Sequence, residues 1–210
     1  ALQVQFDYFK EQRRDIFMKR SNYPASAGFS EAPWANIGKV DNNGFEASLT
    51  LNKQLTRDFF LSAQANVTYA KNKILENDEA ISKRGTYRST IGRSVGQLEG
   101  LVAERLFTDD DFIDPEKGIL KPGVPIQSYT STVRPGDIKY KDLNADGVID
   151  ALDVTAIGGT ADPRLIYGFG VNLVYKYFDL GMLFQGNGCT WQIIGRSQDF
   201  LPGGGNSATG

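Results

Sequence analysis

An all-β fold of antiparallel strands is what this sequence predicts, and three observations support the prediction. Apolar and polar residues alternate over runs of about ten residues, as they do where successive side chains of a strand point to opposite faces. Two pairs of these runs are joined by only a few residues each. The composition favours sheets and turns, with 23 glycines, 13 phenylalanines and 9 tyrosines.

The predicted strands form an early group and a late pair. The early runs are Leu2–Tyr8, residues 45–52 and residues 59–69, the last two separated by a short polar link. The late pair is residues 165–176 and 178–185, joined by a tight turn near Tyr177. The stretches at about 13–43 and 70–163 are predicted to be long loops. Within the second, residues 91–98 are expected to add an extended segment, and residues 106–112 a short helix with a solvated acidic start.

The unequal connections are compatible with two architectures. Short turns on one side and long loops on the other are typical of a bacterial outer-membrane β-barrel, whose strands cross the bilayer with about 9–11 residues. A soluble antiparallel sheet with one wet face shows the same alternation. The strand pattern alone leaves both open.

Composition excludes several classes of site. The chain has no histidine and one cysteine, Cys189, so it cannot form an internal disulfide, a Cys-rich metal centre or a histidine-dependent nucleophile. A formal net charge of −2 provides no basic field for nucleic acid. No apolar run is long enough for a membrane helix. No carboxylate pair stands in an apolar setting, and we predict that the protein is not an enzyme.

A metal-binding loop is predicted at residues 142–153, which begin DLNADGVID. Counted as a calcium loop, its ligands would be Asp142, Asn144, Asp146, the carbonyl of Val148, Asp150 directly or through water, and Asp153. Gly147 would make the sharp turn, and Ile149 would anchor the loop in apolar surroundings. The closing residue is Asp in place of the usual Glu, similar to dockerin loops.

The expected ion is Ca²⁺ or another hard cation in a structural role. It would order a long loop that lacks a core of its own. The alternative is an Asp-Gly turn with solvated acids.

Four stretches together resemble the SusC/RagA family of TonB-dependent outer-membrane transporters. They are residues 135–150 with 157–158, residues 38–46, residues 66–72, and residues 163–169 with 178–180 and 184–186. They cover nearly the whole chain in the family's order. The resemblance implies that residues 1–210 are a partial β-barrel domain, a late portion of the wall with its extracellular loops and without the plug domain.

The same resemblance implies a role in nutrient import at the cell outer membrane. In this family a SusD-like surface lipoprotein captures oligosaccharides or peptides, and TonB drives their entry through parts outside this chain. No nucleic-acid partner is expected. The alternative is a soluble secreted β-domain that binds calcium and glycans for adhesion. Its apolar faces would be buried against a second sheet.

Aromatic residues near the predicted loops are candidates for stacking on sugar rings. They are Tyr23 and Trp34, together with Phe29 and Trp191. The alternative is an interfacial aromatic girdle or loop packing, which is general among barrels.

Overall fold

The structure is a computed structural model that describes residues 1–21, 28 and 31–192. Its strands are β1 (Leu2–Lys19), β2 (Trp34–Thr56), β3 (Phe59–Glu76), β4 (Gln97–Gly100), β5 (Ala103–Leu106), β6 (Phe112–Asp114), β7 (Ile119–Leu120), β8 (Ile126–Gln127), β9 (Ile138–Tyr140), β10 (Val148–Ile149), β11 (Thr155–Thr160), β12 (Leu165–Tyr175) and β13 (Phe178–Gly188). A short 3₁₀ helix, Asp109–Asp111, precedes β6. The described chain is therefore all-β, as predicted.

The main element of the fold is a five-stranded antiparallel sheet in the order β1-β2-β3-β12-β13. The two predicted strand pairs are present, because β2 pairs with β3 and β12 with β13. β12 also pairs with β3, from Leu165 opposite Tyr69 to Tyr175 opposite Phe59. β1 and β13 are the edges, so the described strands form an open sheet and not a closed barrel.

The prediction of a loop over residues 13–43 is wrong at both ends, because strands occupy its first and last parts. β1 and β2 are 18 and 23 residues long, and they pair as far as Lys19 opposite Trp34. Only residues 20–33 connect them. The pairing register shifts between Arg13 and Ile16, where Asp15 has φ 54°. Such a bulge breaks the two-residue alternation from which the strands were predicted.

The segment predicted as a loop over residues 70–163 also contains more structure than expected. β3 continues to Glu76, and β4 to β11 form four two-stranded sheets within residues 77–164. Of the extended segment predicted at residues 91–98, only residues 97–98 lie in a strand, β4, and the 3₁₀ helix lies within the helix predicted at residues 106–112. Strands of two to six residues are too short to produce a recognisable alternation.

The connection between β3 and β12, residues 77–164, is called the long connection below. It has a small core of its own, which corrects the expectation that it lacks one. Phe107, Phe112 and Val133 are buried, and Leu120 and Val124 pack against them. Asp111 is buried as well, although a solvated acidic start was predicted for the helix. The core residues are scattered over a long stretch, so no periodicity marks them in the sequence.

Candidate functional site: a two-faced sheet and its outer loops

The main sheet has an apolar face along its whole width and an opposite face that is mainly polar. The apolar face consists of alternate residues brought into rows by the pairing register. They are Leu2, Val4, Phe6 and Tyr8 of β1; Phe45, Ala47, Leu49 and Leu51 of β2; Leu61, Ala63, Ala65, Val67 and Tyr69 of β3; Leu165, Tyr167, Phe169, Val171, Leu173 and Tyr175 of β12; and Phe178, Leu180, Met182 and Phe184 of β13.

The large side chains of this face are exposed or half-buried, and none is buried. Phe6 is 65 % exposed, Leu180 53 % and Phe178 78 %. The two-stranded sheets involve residues 97–160 and none of the five main strands. Among the described residues, no second sheet therefore buries the apolar face, as the soluble sandwich would require.

The apolar face has the height of a bilayer core. β12 contains 11 residues. Ten steps of about 3.4 Å give a strand of roughly 34 Å. A tilt of 35–45° reduces this to about 25 Å, the height of the lipid-facing band of an outer-membrane barrel.

Aromatic rings lie in rows near both ends of this band. At the end towards the long connections, the ring centroids of Phe45 and Tyr69 are 5.9 Å apart and those of Phe6 and Phe45 6.1 Å apart. At the end with the short turns, Phe59 and Tyr175 meet edge to face at 6.1 Å. Two aromatic rows flanking an apolar band match the interfacial girdles of membrane barrels.

A cavity of about 600 Å³ lies between the polar face and the long connection. Its apolar wall includes Ile16, Met18, Val40 and Ile74. Its charged and polar lining comes from both sides: Glu11, Arg13, Asn42, Asn72, Glu76, Asn77, Thr160, Asp162 and Arg164. Arg164 is positioned by a hydrogen bond from its Nη2 to Ser94 Oγ, 3.0 Å away. None of the described lining residues is aromatic.

The predicted metal loop closes on itself through its side-chain oxygens. Asp142 accepts the backbone N–H groups of Ala145 and Gly147 at 2.6 and 2.8 Å. Asn144 Oδ1 accepts from Asp146 N at 3.0 Å, and Asp146 Oδ1 accepts from Val148 N at 2.8 Å. Gly147 has φ 84°, which confirms the sharp turn expected there.

Asp153 ties the two ends of this loop together. It is fully buried, and its Oδ1 accepts from Leu143 N at 2.7 Å while its Oδ2 accepts from Asp150 N at 3.0 Å. Val148 and Ile149 form β10, which pairs with Ile126 and Gln127. Ile149 is fully buried, as predicted for the anchor residue.

Tyr87 lies beside the acidic loop and was not singled out from the sequence. Its hydroxyl donates to the Leu152 carbonyl at 2.8 Å, and its own carbonyl accepts from Thr155 Oγ1 at 2.6 Å. Burial raises the pKa of Tyr87, and the negative charges of Asp153, Asp142 and Asp146 raise it further. The tyrosine is thus electrostatically coupled to the predicted ligands.

The loop fits a hard cation in chemistry and only partly in geometry. Four carboxylates, one amide and one backbone carbonyl are the oxygen donors that Ca²⁺ uses. Within residues 1–21, 28 and 31–192, however, no three acidic or cysteine side chains come close enough together to hold an ion. In this arrangement the loop oxygens cap backbone N–H groups.

The aromatic stacking candidates occupy different environments. Trp34 packs against Phe17, with ring centroids 5.1 Å apart and planes 19° apart. Trp191 covers Gly158 and Gly159, where an added Cβ would come within 2.6 Å of its ring atoms. Tyr23 and Phe29 lie outside the described residues. The contacts of Trp34 and Trp191 are the packing contacts of the alternative interpretation.

Sequence comparison relates the chain to TonB-dependent receptors. No protein-family model matches it. It is 28% identical over 193 residues to "TonB-dependent receptor P26" of Formosa agariphila, covering 87% of this chain and 18% of the receptor. It is 27% identical over 195 residues to "TonB-dependent receptor P3" of the same organism, covering 88% and 18%. The chain thus spans less than one-fifth of the length of these curated relatives.

Structure comparison shows the same fold in solved importers. The RagAB peptide importer in its closed-closed state has a TM-score of 0.60 and 18% identity, over 91% of this chain and 20% of the other. The RagAB peptide transporter gives a TM-score of 0.55 and 18% identity, over 88% and 19%. These relatives and solved structures are named as receptors, transporters and importers.

Among the described residues, no helix is both long and apolar enough to cross a membrane. The sequence relatives and the shared fold extend over most of the chain and agree with its motifs. They confirm the predicted resemblance: this chain is similar to a segment of TonB-dependent transporters of the SusC/RagA type.

Proposed function

We propose that this chain is part of the barrel wall and outer loops of an outer-membrane, TonB-dependent nutrient importer. The observation that carries the proposal is the two-faced sheet, whose apolar band is about 25 Å high, as a lipid-facing barrel surface requires. The strands extend beyond this band only at the end where residues 20–33 and 77–164 connect them. Long connections lie on the extracellular side of such barrels.

The experiment that tests this placement uses the full-length protein in its native envelope. Membranes are fractionated, and the gel mobility of the protein is compared with and without boiling. Recovery in the outer membrane with a heat-dependent mobility shift is expected for a closed barrel. A soluble protein without a shift would overturn the proposal in favour of a secreted β-domain.

The nutrient we propose is a peptide, from the two substrate classes expected from the resemblance. Sugars are commonly held by aromatic faces, and the cavity on the polar face has no aromatic residue in its described lining. It instead combines an apolar wall with Arg13, Arg164 and Asp162, which suits a chain with apolar and charged groups. The RagAB importers of similar fold are themselves described as peptide importers.

The substrate proposal is tested by filling the cavity. Val40→Trp places a large side chain in its apolar wall and should reduce peptide uptake by the full-length importer about tenfold or more, because a displaced ligand loses most of its contact area. Val4→Trp, on the apolar face, is the matched control and should leave uptake unchanged. Uptake of oligosaccharides but not peptides by the unmodified protein would contradict the proposal.

We also infer that the 142–153 loop binds Ca²⁺ or a similar hard cation. The donor chemistry of the loop and its pre-formed turn at Gly147 support this proposal.

We infer as well that a SusD-like lipoprotein caps the importer. Co-purification of a surface lipoprotein with the tagged full-length protein tests this partnership. If no lipoprotein accompanies the intact importer from its native membrane, the partnership is wrong.

A further inference from the structure

We propose that Lys10, Lys71 and Lys73 form a binding site for the phosphate groups of membrane lipids, at the outer rim of the apolar face. The proposal rests on the membrane placement proposed above. It adds a specific lipid contact on the outside of the wall, away from the cavity on the polar face.

The three lysines lie directly beyond the aromatic row that ends the apolar band. Tyr8, Phe45 and Tyr69 form that row through the pairings of β1 with β2 and of β2 with β3. Two residues further along each strand, towards the long connection, Lys10 lies opposite Asn43, and Asn43 lies opposite Lys71. Because side chains two residues apart share a face, both lysines lie on the apolar side of the sheet.

The next row continues the basic surface. Gln12 lies opposite Asp41, and Asp41 opposite Lys73. Arg14 Nη2 donates to Gln12 Oε1 at 3.0 Å, which brings a second cation to this row and a fourth to the two rows together. Asp41 is the acid within these two rows, and its Oδ2 accepts from Gln12 Nε2 at 3.3 Å. Four cationic side chains therefore face one carboxylate.

These lysines differ from Lys19 and Lys39 of β1 and β2 in having no partner among the described residues. Lys19 pairs with Glu31 at 3.3 Å, and Lys39 pairs with Glu76. Lys10, Lys71 and Lys73 are exposed, and none has an ion pair or a side-chain hydrogen bond to any described residue. Their charges are thus available to a ligand outside the protein.

The position of these charges selects a lipid phosphate as that ligand. Aromatic girdles mark the level of lipid head groups, and a lysine just beyond the girdle extends its ammonium group into the same layer. There it meets the phosphates of the outer leaflet, because the long connections lie at this end of the strands. Each such lysine is expected to strengthen the attraction about fivefold.

The test places a reporter between the lysines in the full-length protein. Asn43→Cys, combined with Cys189→Ser, allows a fluorophore to be attached at the position that faces both Lys10 and Lys71. The protein is reconstituted in phosphatidylcholine bilayers containing nitroxide-labelled phosphatidic acid or nitroxide-labelled phosphatidylcholine. Quenching by the two labelled lipids is compared with and without Lys10→Gln, Lys71→Gln and Lys73→Gln together. Heat-dependent gel mobility verifies that each variant is assembled.

Stronger quenching by phosphatidic acid is expected, and it should fall to the level of phosphatidylcholine in the triple variant. Lys83→Gln, Lys121→Gln and Lys176→Gln remove the same charge elsewhere and should preserve the preference. Equal quenching by both lipids in the unmodified protein would overturn the phosphate site and leave the membrane placement intact. Quenching by neither lipid would overturn the membrane placement itself. A preference abolished by excess inorganic phosphate would overturn the assignment to a lipid.

Discussion

Arg105 and Asp111 form a bidentate ion pair in the long connection. Nη1 donates to Oδ2 and Nη2 donates to Oδ1, each over 2.6 Å. Lys139 Nζ lies 3.4 Å from Oδ1, and the Thr108 N–H donates to Oδ2 at 3.0 Å. The buried carboxylate therefore joins β5, the 3₁₀ helix and β9 next to the core formed by Phe107 and Phe112. Thr108 and Asp111 stand at the spacing of a capping box, the one sequence signal that could have indicated this role.

Asp111→Asn should loosen this part of the long connection. The substitution keeps the shape of the side chain and removes the charge that holds Arg105 and Lys139, and we expect a local loss of about 1.5–3 kcal/mol. Amide hydrogen exchange of the full-length protein should show faster exchange across residues 105–140. Asp109→Asn, at the start of the same helix, is the control and should leave the exchange unchanged. Equal exchange in both variants would contradict a structural role for Asp111.

Acid should weaken the same region. The hydrogen bond from Arg105 is the largest cause that lowers the pKa of Asp111, followed by the backbone N–H of Thr108, and together with Lys139 they outweigh the effect of burial. A carboxylate with a lowered folded pKa stabilises fully above the ordinary aspartate pKa of about 3.9, and this contribution is lost as pH falls towards the folded pKa. Proteolysis by an acid-active protease should therefore increase within residues 105–140 below about pH 4. The Asp111→Asn protein should lack this added sensitivity, and an unchanged pH profile in it would refute the assignment.

Gly44 should tolerate no side chain. It is buried opposite Phe9, and an added Cβ would lie 2.6 Å from Phe9 Cζ and would also clash with the Tyr69 carbonyl. Gly44→Ala is expected to destabilise the sheet by about 1–3 kcal/mol through overpacking. The temperature at which the heat-modifiable form is lost measures this effect. Gly188→Ala, whose Cβ would meet Leu165 at an ordinary 3.4 Å, should leave that temperature nearly unchanged.

The two faces of β12 should respond oppositely to charge. Val171 is on the apolar face, and its neighbour Asn172 is on the polar face. An arginine facing the bilayer midplane costs about 2–4 kcal/mol, and one facing the lumen remains hydrated. Val171→Arg should thus reduce the assembled protein in the outer membrane, while Asn172→Arg should not. Equal assembly of both variants would show that the apolar face does not contact lipid.

Calcium binding should depend on the charges of the acidic loop. Asp142→Asn and Asp146→Asn keep oxygens that can accept the N–H groups of Gly147 and Val148 but remove two ligand charges. We expect at least about tenfold weaker calcium binding by calorimetry, since affinity follows ligand charge. Asp110→Asn is the control.

The pKa of Tyr87 provides a second measure of calcium binding by the acidic loop. A bound cation would offset the carboxylates that, after burial, raise its pKa. Its pKa should therefore fall on addition of calcium, measured as the difference between the unmodified protein and Tyr87→Phe. No calorimetric heat and no shift in the pKa of Tyr87 would refute the cation site.

The sequence was most informative where structure depends on local geometry. The alternation of Phe45 to Leu51 and of Leu165 to Tyr175 predicted strands and faces, because neighbouring side chains of any strand point to opposite sides. Gly147 likewise predicted its own turn, since a positive φ is a property of one residue. The family motifs added the resemblance that the comparisons confirm.

The extended parts of β1 and β2 were missed for a physical reason. The bulge near Asp15 shifts the register, so the residues beyond it no longer alternate in phase with those before it. Strand pairing with the partner, and not local pattern, maintains the strand there. The same holds for the short strands of the long connection, which exist only through contacts between distant segments.

By itself, therefore, the sequence determined the alternating parts of the five main strands, their two faces and the composition of the acidic loop, because each depends on residues close together in the chain. Only the tertiary structure decided that Lys10 and Lys71 flank Asn43, that Asp111 is buried between two cations, and that Asp153 closes its loop through backbone N–H groups. These arrangements depend on strand register and burial. Both arise from contacts between residues far apart in the chain, which no local pattern encodes.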